Sequence, residues 1–311
     1  MKSNFNPCEP CSENVATSLD ISKTTKNVIC EVKCSSKTVE VFSSVTIEAT
    51  KSKQIYFSSI DGMITWLIET EDGDQNVIRT ITPFFDYSAP AEHCYKKVRI
   101  YPYLTVIDRN VYVELTIVNN IEIQPRSSWG AKDPIIEEGR SYEKIEEDVK
   151  NYYDAIVIHH SGNDINFPTM KQVQEKHFDE KRADIGYHFG VDRDGVVYEG
   201  RDINYKGSHV NKGNSYRIGV LLLADLSTDD AGLEPWKKPF EWSDGELTQD
   251  MEKGLLRLCL YLDQKYEITS LGGHNEFAAL LGDRRPCPGN LAIAKMAGWR
   301  KILNKESPQA E

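Results

Sequence analysis

Two adjacent histidines close a short apolar run in AIVIHHSG, Ala155 to Gly162, and two later stretches add side chains able to bind a metal or move a proton: Gly272-Gly273-His274 and Arg284-Arg285-Pro286-Cys287-Pro288-Gly289. Imidazole does either job near neutral pH. Successive side chains of a strand face opposite ways, so Ala155, Val157 and His159 share one face and Ile156, Ile158 and His160 the other. Only one of the two rings can therefore enter a site on a given face. Cys287 lies between prolines in what must be a loop, whereas Cys259 sits inside the helical pattern LLRLCLYL and reads as core. Two imidazoles and one thiolate make three protein ligands and leave the fourth tetrahedral position to water, as catalytic zinc requires. Their spread over more than a hundred residues is not zinc-finger spacing.

The elements that must position these groups read as α/β from about Ile121 to the end of the chain. Thr169 with Gln172 predicts a capping box for a helix running to about Glu180, and Met170, Val173 and His177 share its face, which makes His177 a core histidine. Tyr187 to Val191 and Val196 to Glu199 flank Asp192-Arg193-Asp194-Gly195 as a hairpin would, and Ile218 to Leu223 is apolar enough for a central strand. Ser243 with Glu246 predicts the cap of a second helix, on which Leu247, Met251, Leu255, Leu258 and Leu262 keep one buried face as far as Tyr266. A last amphipathic helix spans roughly Leu291 to Leu303. The acidic stretch from Asp225 to Asp244 reads as a loop insertion whose Trp236, Phe240 and Trp242 either cover part of a groove or pack the loop down.

Residues 1 to 120 read as a separate, small all-β domain of sandwich or barrel type. Val39, Val41, Val45, Ile47 and Ala49 alternate with period two, as do Val111, Val113, Leu115 and Ile117, and Asp61-Gly62 separates Ile55–Ile60 from Met63–Glu69 as a hairpin turn. Its cysteines are Cys8, Cys11, Cys30, Cys34 and Cys94. Cys8, Cys11, Cys30 and Cys34 allow a four-thiolate zinc site, disulfides formed after export, or neither, since Cys30 and Cys34 also fit one strand face as apolar residues.

A chain of 311 residues fits two domains, and a net charge of -11 offers no basic footprint for nucleic acid. No apolar stretch reaches the roughly 18 residues of a membrane span, and MKSNFNPCEPCSENV carries neither the apolar segment of a secretory signal nor a lipid-attachment pattern around Cys8.

IVIHHSG, DIGYHFGVDRDGVVYEGR from Asp184 to Arg201, GSH ending at His209, RIGV from Arg217, GGH ending at His274 and PCPG from Pro286 together resemble the zinc-dependent N-acetylmuramoyl-L-alanine amidases and their relatives, the peptidoglycan recognition proteins. RSSWGA, Arg126 to Ala131, is similar to the motif that opens that superfamily, and the likeness continues in order to about Leu303. The resemblance implies an α/β amidase domain with a central mixed sheet and flanking helices, Zn2+ held by His159, His274 and Cys287, and Tyr187 beside the activated water. It also implies a groove histidine, His209, that touches substrate. Arg285 stands where the catalytic relatives often have lysine; arginine can stabilise an oxyanion but is a poor proton donor. Thirteen positions separate His274 from Cys287, more than is common in the family, so Phe277–Asp283 is expected to form an enlarged loop, with Glu276 a further candidate proton carrier and His160 and His188 packing or orienting neighbours.

The function expected is hydrolysis of the amide between N-acetylmuramic acid and L-alanine of the stem peptide. The alternatives are a peptidoglycan-binding receptor without turnover and a cytosolic amidase recycling muropeptides. Synthesis in the cytoplasm without a classical signal, followed by action in the periplasm or on the wall, would make the chain an injected antibacterial effector or a phage-type lytic enzyme. A secretion apparatus or an immunity protein would then be its partner, and the N-terminal domain would serve delivery, docking or wall binding.

Overall fold

The computed structural model describes residues 29–51, 63–104, 107–162, 168–227, 246–284 and 286–309. The expected hairpin at Asp61-Gly62, the loop aromatics Trp236, Phe240 and Trp242, the Ser243 cap, Cys8, Cys11, the Cys30 side chain and Arg285 lie outside the described residues. The chain separates into two compact units, Met1–Asn119 and Asn120–Glu311.

The described part of the first unit consists of strands with one short 3-10 turn at Ala91–His93. One sheet orders β1 (Ile29–Cys34), β3 (Ser44–Lys51) and β6 (Phe84–Ser88). The other orders β2 (Thr38–Glu40), β8 (Val113–Val118), β7 (Lys97–Tyr103), β4 (Ile64–Thr70) and β5 (Gln75–Thr80). Strict alternation of buried and exposed residues along β6 fits a strand with one face on a core. Val45, Ile47, Phe85 and Tyr87 from the first sheet and Trp66, Ile68, Val98, Ile100, Leu115 and Ile117 from the second are buried, and Trp66 meets Phe85 at 5.4 Å between ring centroids. Two sheets packed through such a core form a sandwich-like unit. Cys34 and Cys94 are reduced, and Cys34 donates to the Ser36 carbonyl at 3.0 Å.

The second unit is built on one mixed sheet in the order β14 (Ser270–Gly273), β10 (Ala155–His160), β13 (Arg217–Leu222), β11 (Phe189–Val191), β12 (Val197–Glu199) and β9 (Ile123–Gln124). The first four run parallel, β11 and β12 form the antiparallel hairpin, and β9 lies parallel to β12. Every residue of β10 is buried, as a parallel strand covered on both faces demands.

Among the described residues five α-helices complete the unit: α1 (Val149–Tyr152), α2 (Met170–Asp179), α3 (Gln249–Tyr266), α4 (His274–Leu280) and α5 (Asn290–Leu303). The capping box of Thr169 and Gln172 starts α2, and its Met170 and Val173 pack with Ile185, Leu221 and Leu223. α3 buries Met251, Leu255, Leu258 and Leu262 along one stripe. Its cap is Thr248, whose hydroxyl accepts from the Met251 amide, so the helix starts later than a Ser243–Glu246 box would place it. Phe277–Leu280 belongs to α4, and Phe277 packs with Ala155, Val157 and Val210. The extra length between His274 and Cys287 thus begins as a helix anchored in the core rather than as an enlarged loop, because Phe277 finds an apolar berth against β10.

The motif residues Arg126 and Asp184 form a buried tie. Asp184 is fully buried, meets the Arg126 guanidinium at 3.0 Å and accepts from Gln174 at 2.7 Å and from the Ile185 amide at 2.8 Å. Trp129 Nε1 donates to the Glu199 carbonyl at 2.9 Å, so the turn after β9 is fastened to the edge of β12. Removing the Asp184 carboxylate leaves Arg126, 22% exposed, without its partner and the buried donors of Gln174 and Ile185 without their acceptor. Asp184→Ala is expected to lower unfolding free energy by about 3–5 kcal/mol, measurable by urea denaturation; a change below about 1 kcal/mol, the scale of an exposed pair, would show that the tie is solvated.

Candidate metal centre and its cleft

The parallel register places Ile158 beside Gly273, so His159, the next residue of β10, and His274, the first residue of α4, follow side by side. Their ring centroids are 4.6 Å apart. Cys287 comes from the loop between α4 and α5, which is pinned by the Asn275 amide donating to the Cys287 carbonyl at 2.7 Å and the Leu291 amide donating to Leu226 at 3.2 Å. One ligand atom from each of His159, His274 and Cys287 lies within 4.8 Å of the others.

The donor set fits zinc. Cys287 Sγ stands 3.6 Å from His159 Nδ1. Zn–S of about 2.3 Å and Zn–N of about 2.0–2.1 Å at a tetrahedral angle require a separation of about 3.6 Å. Burial holds His159 well below the ordinary imidazole range, so the ring is neutral with a lone pair to offer. Burial also pushes the Cys287 thiol up to about 12, a preference that a coordinated dication reverses.

Tyr187 lies just before β11, its ring 4.9 Å from that of His159, and it lines two neighbouring clefts of about 180 and 390 Å³. Burial, with the Cys287 charge adding to it, raises the phenol above its ordinary range and keeps it a hydrogen-bond donor. The larger cleft is also lined by Arg182, His209, Lys212, Asn214 and His274.

His209 lines the larger cleft yet is only 7% exposed, and its Nδ1 is 3.0 Å from His159 Nε2. Glu276 is not poised to carry protons: it accepts from the Gly273 amide at 2.9 Å and both its oxygens meet Arg300 at 3.0 Å, capping α4. His160 takes the other face of β10, where Nδ1 accepts from the Leu226 amide at 3.0 Å. His177 Nδ1 accepts from the Gly186 amide at 2.9 Å, and His188 Nδ1 from the Gly219 amide at 3.0 Å. These three rings pack and orient backbone.

Sequence reasoning passed over Arg182, which lines both clefts, donates through Nη1 to the Ser208 carbonyl at 2.7 Å and pairs with Glu180 at 2.9 Å. Its position two residues before the Asp184 of DIGY was the available signal.

The family profile for N-acetylmuramoyl-L-alanine amidase matches residues 149–290. Peptidoglycan-recognition protein LB of Drosophila melanogaster is 28% identical over 182 residues, 56% of this chain and 67% of that protein. The endolysin of Escherichia phage T7 is 32% identical over 126 residues, 40% of this chain and 76% of the endolysin. Other recognition proteins, such as SC2 of the same fly, are matched over 60% of their length. Among solved structures, wild-type Drosophila PGRP-LB aligns at 27% identity with a TM-score of 0.43, covering 58% of this chain and 95% of that one. With these matches, the chain belongs to the N-acetylmuramoyl-L-alanine amidase and peptidoglycan recognition protein superfamily through its C-terminal unit.

The buried histidines imply a pH dependence. Burial lowers His177 to about 3 and His188 to about 4, and each ring accepts an amide proton through Nδ1 that protonation would displace. With folded values below the unfolded value of about 6.5, the unfolded chain binds more protons, so stability is full above that pH and falls as pH drops toward 4. His177→Asn keeps an acceptor for the Gly186 amide without the titration. Its thermal midpoint is expected to fall less steeply between pH 6.5 and 4 than that of the parent, by circular dichroism; parallel curves would exclude His177 as a source.

Proposed function

We propose that the C-terminal unit is a zinc-dependent amidase that hydrolyses the bond between N-acetylmuramic acid and the L-alanine of the peptidoglycan stem peptide. The observation that carries this reading is the convergence of His159, His274 and Cys287, their donor atoms within 4.8 Å of one another, beside Tyr187 at an open cleft. The family supplies the bond; the donor set supports metal-assisted amide hydrolysis.

When bound, zinc would supply Lewis acidity for activating water and polarising the amide carbonyl. His159, His274 and Cys287 would hold it, leaving one tetrahedral position open. Tyr187 would donate its phenolic proton to the carbonyl oxygen as negative charge develops there. Arg182 and Lys212 put positive charge in a cleft of an otherwise acidic chain, which suits the free carboxylates of a stem peptide. Arg285 remains a proposed oxyanion stabiliser, charged at every working pH.

The decisive experiment is mass spectrometry of defined muropeptides incubated with the purified protein. Release of intact stem peptide beginning with L-alanine is expected, with His159→Ala, His274→Ala and Cys287→Ala each abolishing turnover and zinc content. Tyr187→Phe should lose about 100-fold or more in kcat with little change in binding. Muropeptide bound but uncut by the zinc-loaded parent would make the protein a recognition protein; full activity in Cys287→Ala would remove the mechanism.

The wall polymer lies outside the inner membrane, and we place the activity there, as for an injected effector or a phage-type lytic enzyme. The first unit would serve delivery or wall binding. Expression in a Gram-negative host is expected to cause lysis only with a fused export signal and only with Cys287 intact. Folded, periplasmic protein without lysis would favour the recycling or receptor alternatives.

A further inference from the structure

We propose that His209 is a positioning residue for the candidate metal centre: by accepting a hydrogen bond from the His159 Nε2–H it fixes the ring tautomer in which His159 Nδ1 offers its lone pair to a cation. The inference rests on the metal reading of His159, His274 and Cys287. His159 Nδ1 faces Cys287 Sγ at 3.6 Å, and Nε2 faces His209 Nδ1 at 3.0 Å. A neutral imidazole carries one N–H, so a lone pair at Nδ1 places the proton on Nε2. That proton has His209 Nδ1 as its acceptor, which places the proton of His209 on its own Nε2. The opposite arrangement, with His209 donating, puts a proton on His159 Nδ1 and leaves nothing there for a cation.

The surroundings of His209 favour the first arrangement by holding its ring rather than by competing for it. A carbon added at Gly207 would stand 2.3 Å from Cδ2 and 2.6 Å from Nε2, and one added at Gly219 would stand 2.6 Å and 2.7 Å from the same atoms. Both glycines are therefore required by the ring, one from GSH and the other from RIGV. From the other side, Asn214 Oδ1 accepts from the amides of His209 and Val210, each at 2.8 Å. The two glycines give the ring its space and the Asn214 side chain holds the backbone that carries it. Its Nε2 is buried without a full hydrogen bond, so nothing in the cradle demands that Nδ1 carry the proton instead.

Zinc affinity of the apo protein, measured by competition with a chromophoric chelator, tests this without reference to turnover. His209→Leu removes the acceptor and is expected to weaken zinc binding about 10- to 100-fold. His209→Asn presents its Oδ1 close to where Nδ1 stood and is expected to bind zinc close to the parent level. Unchanged affinity in His209→Leu, or equal losses in both variants, would overturn the proposal, the latter because ring packing rather than the acceptor would then matter. If neither variant folds, 15N–1H imidazole spectra of the zinc-loaded parent decide: protons on Nε2 of both His159 and His209 support the assignment, and a proton on His209 Nδ1 overturns it. A parent that binds no zinc would instead overturn the metal reading itself, and the tautomer proposal with it.

Discussion

Parallel pairing of β10 between β13 and β14 is the constraint on which the second unit depends. β10 is buried along its whole length, so it has one register in which its apolar side chains stay covered, and a slip of one residue would exchange His159 with His160 between the two faces. The same register sets Gly273 beside Ile158 and brings His274 alongside His159. Backbone hydrogen bonding, rather than any attraction among the ligands, therefore brings two imidazoles together. Only Cys287 arrives from a loop, and that loop is tied to Asn275 and Leu226 through main-chain bonds. A metal can then bind to donors already gathered, so less of its binding free energy is spent on ordering the chain.

The residues around this strand divide into those that do chemistry and those that hold backbone, and residue type does not separate them. Arg126, Asp184 and Arg201 are charged and sit within motifs, yet all three fasten segments: Arg201 is 1% exposed and donates to the carbonyls of Ile185 at 2.8 Å and Lys206 at 2.9 Å. Six of the seven histidines lie in this unit, and three of those six, His160, His177 and His188, accept from backbone amides through Nδ1. The common use is physical: a neutral ring satisfies a buried N–H that the sheet cannot reach, at the cost of sensitivity to acid.

This explains what was legible in the sequence. Period-two alternation and the apolar strands gave both units, with the boundary expected at residue 120 against the observed division after Asn119, because burial on one face or two leaves a direct trace in residue order. The gathering of His159, His274 and Cys287 was legible because a cysteine between prolines and histidines that close apolar runs have few structural uses. The contact of His209 with His159 was not legible, because it joins residues fifty positions apart at 3.0 Å and needs two glycines whose closeness to the ring appears only in the fold. The excess length before Cys287 could not be told from a loop, since the anchor is one side chain, Phe277, whose partners Ala155, Val157 and Val210 lie far off in sequence. The start of α3 was misplaced for a simpler reason: Ser243 and Thr248 are both competent caps, and only the turn beneath decides between them.

The placement of Tyr187 and Arg182 shows how one segment serves two needs. The chain between α2 and β11 must pass from the buried Asp184 tie to the sheet, and Ile185 between them is fully buried, so this short connection is held at both ends. Residues within it cannot rearrange independently, which gives Tyr187 a rigid seat 4.9 Å from the His159 ring although it lies outside any strand. Arg182, just before the tie, is bound to the Ser208 carbonyl and so links the same connection to the segment that carries His209. His209 and Tyr187 thus share one scaffold, and a displacement of either segment would misplace both. A phenol preorganised in this way has no reorganisation to undergo as charge develops on a carbonyl oxygen, and electrostatic stabilisation in enzymes is effective largely for that reason.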